Sequence, residues 1–91
     1  MNEMPVERMQ VLLAVKALEP GGYGEAIRLY LKSCNVPVRR APVYRQLSAL
    51  KALKYIKVVK SVETREELAT TKAGRDAAHR WIETLCRVAK A

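Results

Sequence analysis

The chain has 91 residues, 17 Lys and Arg against 9 Asp and Glu, a net charge of +8, and 49% apolar and 29% charged residues. That length fits one small domain, and the apolar fraction excludes an intrinsically disordered chain. The longest apolar runs, such as Val11–Val15, are too short to span a bilayer, and acids precede the first apolar run, which excludes a secretory signal and points to the cytoplasm.

The excess charge is concentrated. The segment Asn35–Lys60 carries Arg39, Arg40, Arg45, Lys51, Lys54, Lys57 and Lys60 with no Asp or Glu, while the flanking segments are close to neutral. Charge gathered in one stretch suggests an acidic partner, with nucleic acid the leading candidate. The two cysteines, Cys34 and Cys86, are far apart, and His79 is the single histidine. That is too few ligands for a structural zinc site, so no metal or cofactor is expected, and both cysteines read as reduced, half-buried packing residues.

A first helix is expected from Pro5 to about Leu18. Proline suits the first helical position, and Glu3 and Glu7 suit the positive end of the helix dipole. Val6, Met9, Leu12, Leu13 and Ala17 recur at helical spacing and make a broad core face. Pro20-Gly21-Gly22 ends that helix. Tyr23–Cys34 reads as a second helix, with Tyr23, Ile27, Tyr30, Leu31 and Cys34 inward. Glu25 and Arg28 form a surface pair, and Asn35 is the helix-ending residue, since Asn tolerates the left-handed conformation. Pro37 disfavours helix at Val36, so Val36-Pro37-Val38 is read as extended.

A third helix is expected from about Ala41 to Lys54, with Tyr44, Leu47 and Leu50 inward and Pro42, Arg45, Gln46 and Ala49 opposite. Two short helices joined by a tight turn, the second one basic, are the outline of a helix-turn-helix. In Tyr55–Val62 the inward Ile56 and Val58 alternate with Lys57, which reads as a strand, a turn falls near Glu63–Arg65, and Glu66–Thr70 returns as a second strand. Thr71 is a suitable N-cap for a last helix. Gly74 in its first turn is costly for a helix and reads as permitting a close backbone approach. The expected fold is mainly α with a small β-hairpin, residues 1–70 forming a DNA-binding unit and 71–91 a terminal helix.

The segments Leu12-Leu13-Ala14-Val15 with Pro20-Gly21-Gly22-Tyr23-Gly24-Glu25-Ala26-Ile27, then Ala41-Pro42-Val43-Tyr44-Arg45-Gln46-Leu47-Ser48-Ala49-Leu50, then Leu68-Ala69-Thr70-Thr71-Lys72-Ala73-Gly74-Arg75, carry a likeness in their order and spacing. Together they resemble the PadR-like branch of winged helix-turn-helix transcriptional regulators. The resemblance implies a homodimer that binds double-stranded operator DNA and represses transcription, with the third helix in the major groove and the wing on backbone or minor groove. It also implies that the C-terminal helix builds the dimer. No small-molecule effector is identifiable.

Arg45 and Gln46 are the candidate base readers, because Arg pairs bidentately with guanine and Gln with adenine. Val43 and Ala49 are weaker candidates for thymine-methyl contact, and Pro42 shares their face. Tyr44 reads as core with its hydroxyl free to reach a phosphate. Arg39 and Arg40 are read as phosphate grips before the helix, and Lys57, Lys60 and Arg65 as those of the wing. Tyr23 and Tyr30 read as core only. A domain this small leaves a long terminal helix half-uncovered, so Trp81 reads as a dimer contact, with Ala78, Ile82, Leu85 and Val88 along the same side. No nucleophile–base constellation, paired-carboxylate site or nucleotide loop can be assembled, and no enzyme is expected. Two other classes compete: a winged-helix module that docks an acidic protein, and a nucleic-acid binder without sequence preference.

Overall fold

The computed structural model describes residues 5–36 and 39–90. Glu3, Pro37 and Val38, whose expected roles are given above, lie outside the described residues. The element order is α1 (Val6–Leu18), α2 (Gly24–Ser33), α3 (Arg40–Ala52), β1 (Ile56–Val62), β2 (Arg65–Thr70) and α4 (Lys72–Lys90). Every expected element is present, with boundaries moved by one or two residues.

α1 is the central helix. Met9, Val11, Leu12, Ala14 and Val15 are all buried, so its core face is broad, as expected, but is centred on other residues. Val6 and Ala17, expected inward, are exposed. A helix packed by neighbours on several sides is apolar on several sides. Around α1 the core is completed by Ile27 and Leu31 of α2, Val43, Leu47 and Leu50 of α3, Ile56 and Leu68 of the hairpin, and Ala77 and Ala78 of α4.

α2 and α3 end the same way. Asn35 has φ 64°, with Asn35 N–H bonded to the Lys32 carbonyl and Val36 N–H to the Leu31 carbonyl. Lys54 has φ 61°, with Lys54 N–H bonded to the Lys51 carbonyl and Tyr55 N–H to the Leu50 carbonyl. Each is a Schellman motif, which satisfies the last carbonyls and turns the chain sharply. Asn35 carries the expected signal. Lys54 does not, because lysine has no special tolerance of positive φ.

β1 and β2 pair antiparallel, from Ile56 opposite Thr70 to Val62 opposite Arg65, with an irregularity between Val58 and Lys60. Val58, expected to alternate inward after Ile56, is 41% exposed. The register shift ends the simple alternation there. The root of the hairpin is clamped. Leu68 N–H donates to the Gly22 carbonyl at 2.7 Å. The Glu19 carboxylate accepts from the Thr70 N–H and hydroxyl, each at 2.9 Å. Arg75 donates to the Thr70 carbonyl at 3.0 Å.

The N-terminus of α4 closes the junction. The Thr71 hydroxyl accepts from Gly74 N–H at 3.1 Å, the expected cap, and donates to the Lys54 carbonyl at 2.7 Å. Thr71 N–H bonds to the Tyr55 carbonyl. A Cβ placed on Gly74 would stand 2.0 Å from the Tyr55 carbonyl oxygen, so the glycine exists for this approach, as its place in a helix implied. Gly74→Ala is expected to lower unfolding free energy by about 2 kcal/mol, because backbone rather than a movable side chain blocks the methyl. Gly21→Ala, where the nearest atom is an ordinary 3.9 Å away, is expected to change stability by less than about 0.5 kcal/mol. Urea unfolding of both variants checks the contrast.

Candidate nucleic-acid interface

α3 supplies the middle of the basic face, and its orientation differs from the expectation by one residue. Val43, Leu47 and Leu50 are the buried residues of α3, an i, i+4, i+7 stripe. Tyr44, expected inward, is 47% exposed. Both registers share Leu47 and Leu50, and the packing against α1 and α2 selects valine, which has no polar atom to satisfy, over tyrosine. Val43 is 1% exposed and is removed from the set of groove-contact candidates. Pro42 and Ala49 are half-buried at the margin of the helix.

The outward side of α3 is therefore Ala41, Tyr44, Arg45 and Ser48, all exposed. Ser48 is not marked by sequence alone, because only the shifted register turns it outward together with Tyr44. Gln46 is half-buried, and its side-chain oxygen accepts a bond from Arg8 Nε of α1 at 2.9 Å. That bond engages the oxygen which bidentate adenine recognition uses. Gln46 thus ties α1 to α3, a contact no local signal in the sequence marks.

Tyr44 is held by the start of α2. A Cβ on Gly24 would stand 2.5 Å from the far edge of the Tyr44 ring, so the missing side chain gives the ring its seat. Beside it, Glu25 is paired with Arg28 and, at 3.5 Å, with Arg40 at the start of α3. The hydrogen bond from Arg28 chiefly, and the charges of Arg28 and Arg40, hold the Glu25 carboxyl below the usual carboxylate range despite a smaller opposing effect of desolvation. Its pairing is therefore complete at neutral pH and is lost only as pH falls through that lowered value. Arg39 and Arg40 are exposed.

The hairpin forms the other flank. Lys57, Lys60 and Arg65 are exposed. The Arg65 guanidinium lies 4.5 Å from the centre of the Tyr23 ring, within cation–π range, so Tyr23 is a platform for the hairpin rather than core alone. Lys51 of α3 reaches Glu66 of β2 at 2.7 Å. Between α3, the start of α2 and the hairpin lies a cleft of about 300 Å³, walled by Tyr23, Gly24, Tyr44, Ser48, Lys51 and Arg65 among others.

The terminal helix is buried at Gly74, Ala77 and Ala78 and half-buried at Trp81, while residues 82–89 are exposed. Ala78, expected at a dimer contact, is 0% exposed and packed inside the domain. Trp81 packs partly against the same core. Ile82, Leu85 and Val88 continue the stripe beyond the body at 41%, 48% and 69% exposure. Cys34 and Cys86 are both exposed thiols rather than half-buried packing residues, and Tyr30 is exposed rather than core. His79 is exposed on α4 and lies 3.0 Å from Glu83. Among the described residues no group of three His, Cys, Asp or Glu side chains gathers to hold a metal, and no helix is long and apolar enough to cross a membrane.

The chain is similar to a solved structure, the crystal structure of Streptococcus pneumoniae FabT in complex with DNA, with a TM-score of 0.74 and 18% sequence identity. The match covers 97% of this chain and 59% of that one, so the present chain spans about three-fifths of its neighbour's length. The fold is a winged helix-turn-helix. α2 and α3 are its helix pair, and β1–β2 is its wing. No family model and no curated protein matches the sequence.

The register of α3 can be tested without a ligand. Val43→Ala is expected to cost about 2 kcal/mol of unfolding free energy as a buried truncation. Arg45→Ala, on the open side, is expected to cost less than about 0.5 kcal/mol. Denaturant midpoints at constant m-value measure both.

Proposed function

We propose that the protein is a sequence-specific DNA-binding transcriptional regulator that acts as a homodimer on a roughly palindromic site. The observation that carries this reading is the open face of α3. Arg45 is exposed there with Tyr44 and Ser48, and Arg39 and Arg40 before it and Lys57, Lys60 and Arg65 of the wing are exposed as well. In this reading α3 enters the major groove, Arg45 reads a base edge, and the wing cations neutralise phosphates at the adjacent backbone or minor groove. The fold shared with a protein solved on DNA supports it. The PadR-like assignment and repression by promoter occlusion rest on the sequence motifs, since the likeness in structure extends to the winged helix at large.

The dimer reading is supported by α4. Its Ile82, Leu85 and Val88 stripe leaves the body of the protomer exposed, and apolar residues at helical spacing favour burial against a second copy. Two copies would place their reading helices on half-sites about 34 Å apart, one turn of DNA.

Selection from a randomised duplex pool tests the function directly. One enriched dyad motif is the expected result. Salt-sensitive binding without a motif would mean a nucleic-acid binder lacking sequence preference, and no binding at moderate salt would leave the protein-docking module. On the selected site, Arg45→Ala is expected to relax preference at one base pair per half-site, a loss of about 1–3 kcal/mol of discrimination. Lys57→Ala is expected to weaken all sequences about equally and flatten the salt dependence. Leu85→Glu is expected to sediment as a monomer, and an unchanged dimer would place the interface elsewhere.

A further inference from the structure

The cleft between α3 and the wing has an occupant that follows from the DNA-binding reading, on which this inference rests. With α3 in a major groove and the wing toward the neighbouring minor groove, the sugar-phosphate strand separating the two grooves must pass between them. We infer that the cleft seats a phosphodiester of that strand, and that Glu66 occupies the phosphate's place on Lys51 until DNA arrives.

The walls have the right chemistry. Ser48 and Tyr44 of α3 and Thr64 in the turn of the wing, all hydroxyl-bearing residues, line the cleft. The Arg65 guanidinium is carried to its edge on the Tyr23 ring. Lys51 lines the cleft as well, and its ammonium is engaged by Glu66 Oε1 at 2.7 Å. A carboxylate oxygen and a non-bridging phosphate oxygen offer an ammonium the same kind of charged acceptor. The Lys51 and Glu66 side chains are 38% and 53% exposed, so their pair is bathed in water and gives way at little cost. A phosphate that replaces the carboxylate also releases condensed counterions, which an internal carboxylate does not. The other acid of the cleft differs. Glu25 is held by Arg28 on its own helix and also pairs with Arg40, so its place does not depend on a cation from across the cleft.

Glu66 thus keeps the free wing positioned near α3 and holds down the affinity for DNA of any sequence. On binding, the ammonium passes from the Glu66 carboxylate to a phosphate oxygen, and the carboxylate turns to water.

The test is a double-mutant cycle on a 20-base-pair duplex of arbitrary sequence, titrated by fluorescence anisotropy over a range of salt concentrations. The proteins are wild type, Glu66→Gln, Lys51→Met and the double variant, all altered at solvent-accessible positions and compared by thermal melts. Glu66→Gln is expected to bind about two- to fivefold tighter, the range of an exposed pair removed from the free state alone. Lys51→Met is expected to reduce the slope of log K against log salt by about 0.9 for each phosphate that the lysine no longer neutralises. The tightening by Glu66→Gln is expected to be smaller when Lys51 is absent. A tightening that is equal or larger without Lys51 shows that the pair survives binding and overturns the exchange. An unchanged slope in Lys51→Met overturns the phosphate seat. Failure of the wild type to bind DNA overturns the DNA-binding reading itself, an outcome distinct from binding with additive variants.

Discussion

The arrangement of this protein depends on one contact between two turns. The corner that joins α3 to β1 lies against the first turn of α4. Thr71 uses its hydroxyl twice there, accepting from Gly74 N–H and donating to the Lys54 carbonyl, and its own N–H meets the Tyr55 carbonyl. A helix start has unpaired N–H groups, and a helix end has unpaired carbonyls. Bringing the end of α3 to the start of α4 lets each supply part of what the other lacks. Only glycine at position 74 leaves room for the approach. Once the corner is fixed, the direction of β1 is fixed relative to α3, and the wing follows. The bonds from Thr70 to Glu19 and from Leu68 to Gly22 then hold β2 to the body from the other side.

The wing therefore has a stiff root and a loosely tethered tip. At the root, backbone groups are paired with backbone or with capping side chains, and Ile56, Leu68, Ala69 and Thr70 are buried. At the tip, the ties are a cation over an aromatic ring and a water-exposed ion pair. Contacts of the second kind are individually weak. The separation of α3 and the wing is therefore preset by the root, while the side chains between them are held by weak contacts.

Much of the fold was legible in residue order because each boundary carries its own chemistry. Pro20 stops α1, Asn35 takes the left-handed turn after α2, Thr71 caps α4, and Gly74 is out of place in a helix unless something approaches it. The second left-handed turn, at Lys54, was hidden because lysine is not selected for that conformation and is held there by the Schellman bonds. The site was legible in charge and less so in orientation. Apolar residues at 43, 44, 47 and 50 support two helical faces one residue apart, and the one that buries Val43 turns Tyr44, Arg45 and Ser48 outward together. Contacts between distant positions, such as Arg8 with Gln46 and Glu19 with Thr70, leave no periodic trace.

Residue order alone determined the sequence of elements, the concentration of positive charge around α3 and β1, and the apolar stripe of α4, since capping, periodicity and charge are local properties of the chain. Tertiary structure decided which side of α3 is open, which cations are already paired, and where α4 leaves the body. Those outcomes depend on what packs opposite each residue. Valine and tyrosine at neighbouring positions compete for one buried place, and only the surfaces of α1 and α2 settle which of them fills it.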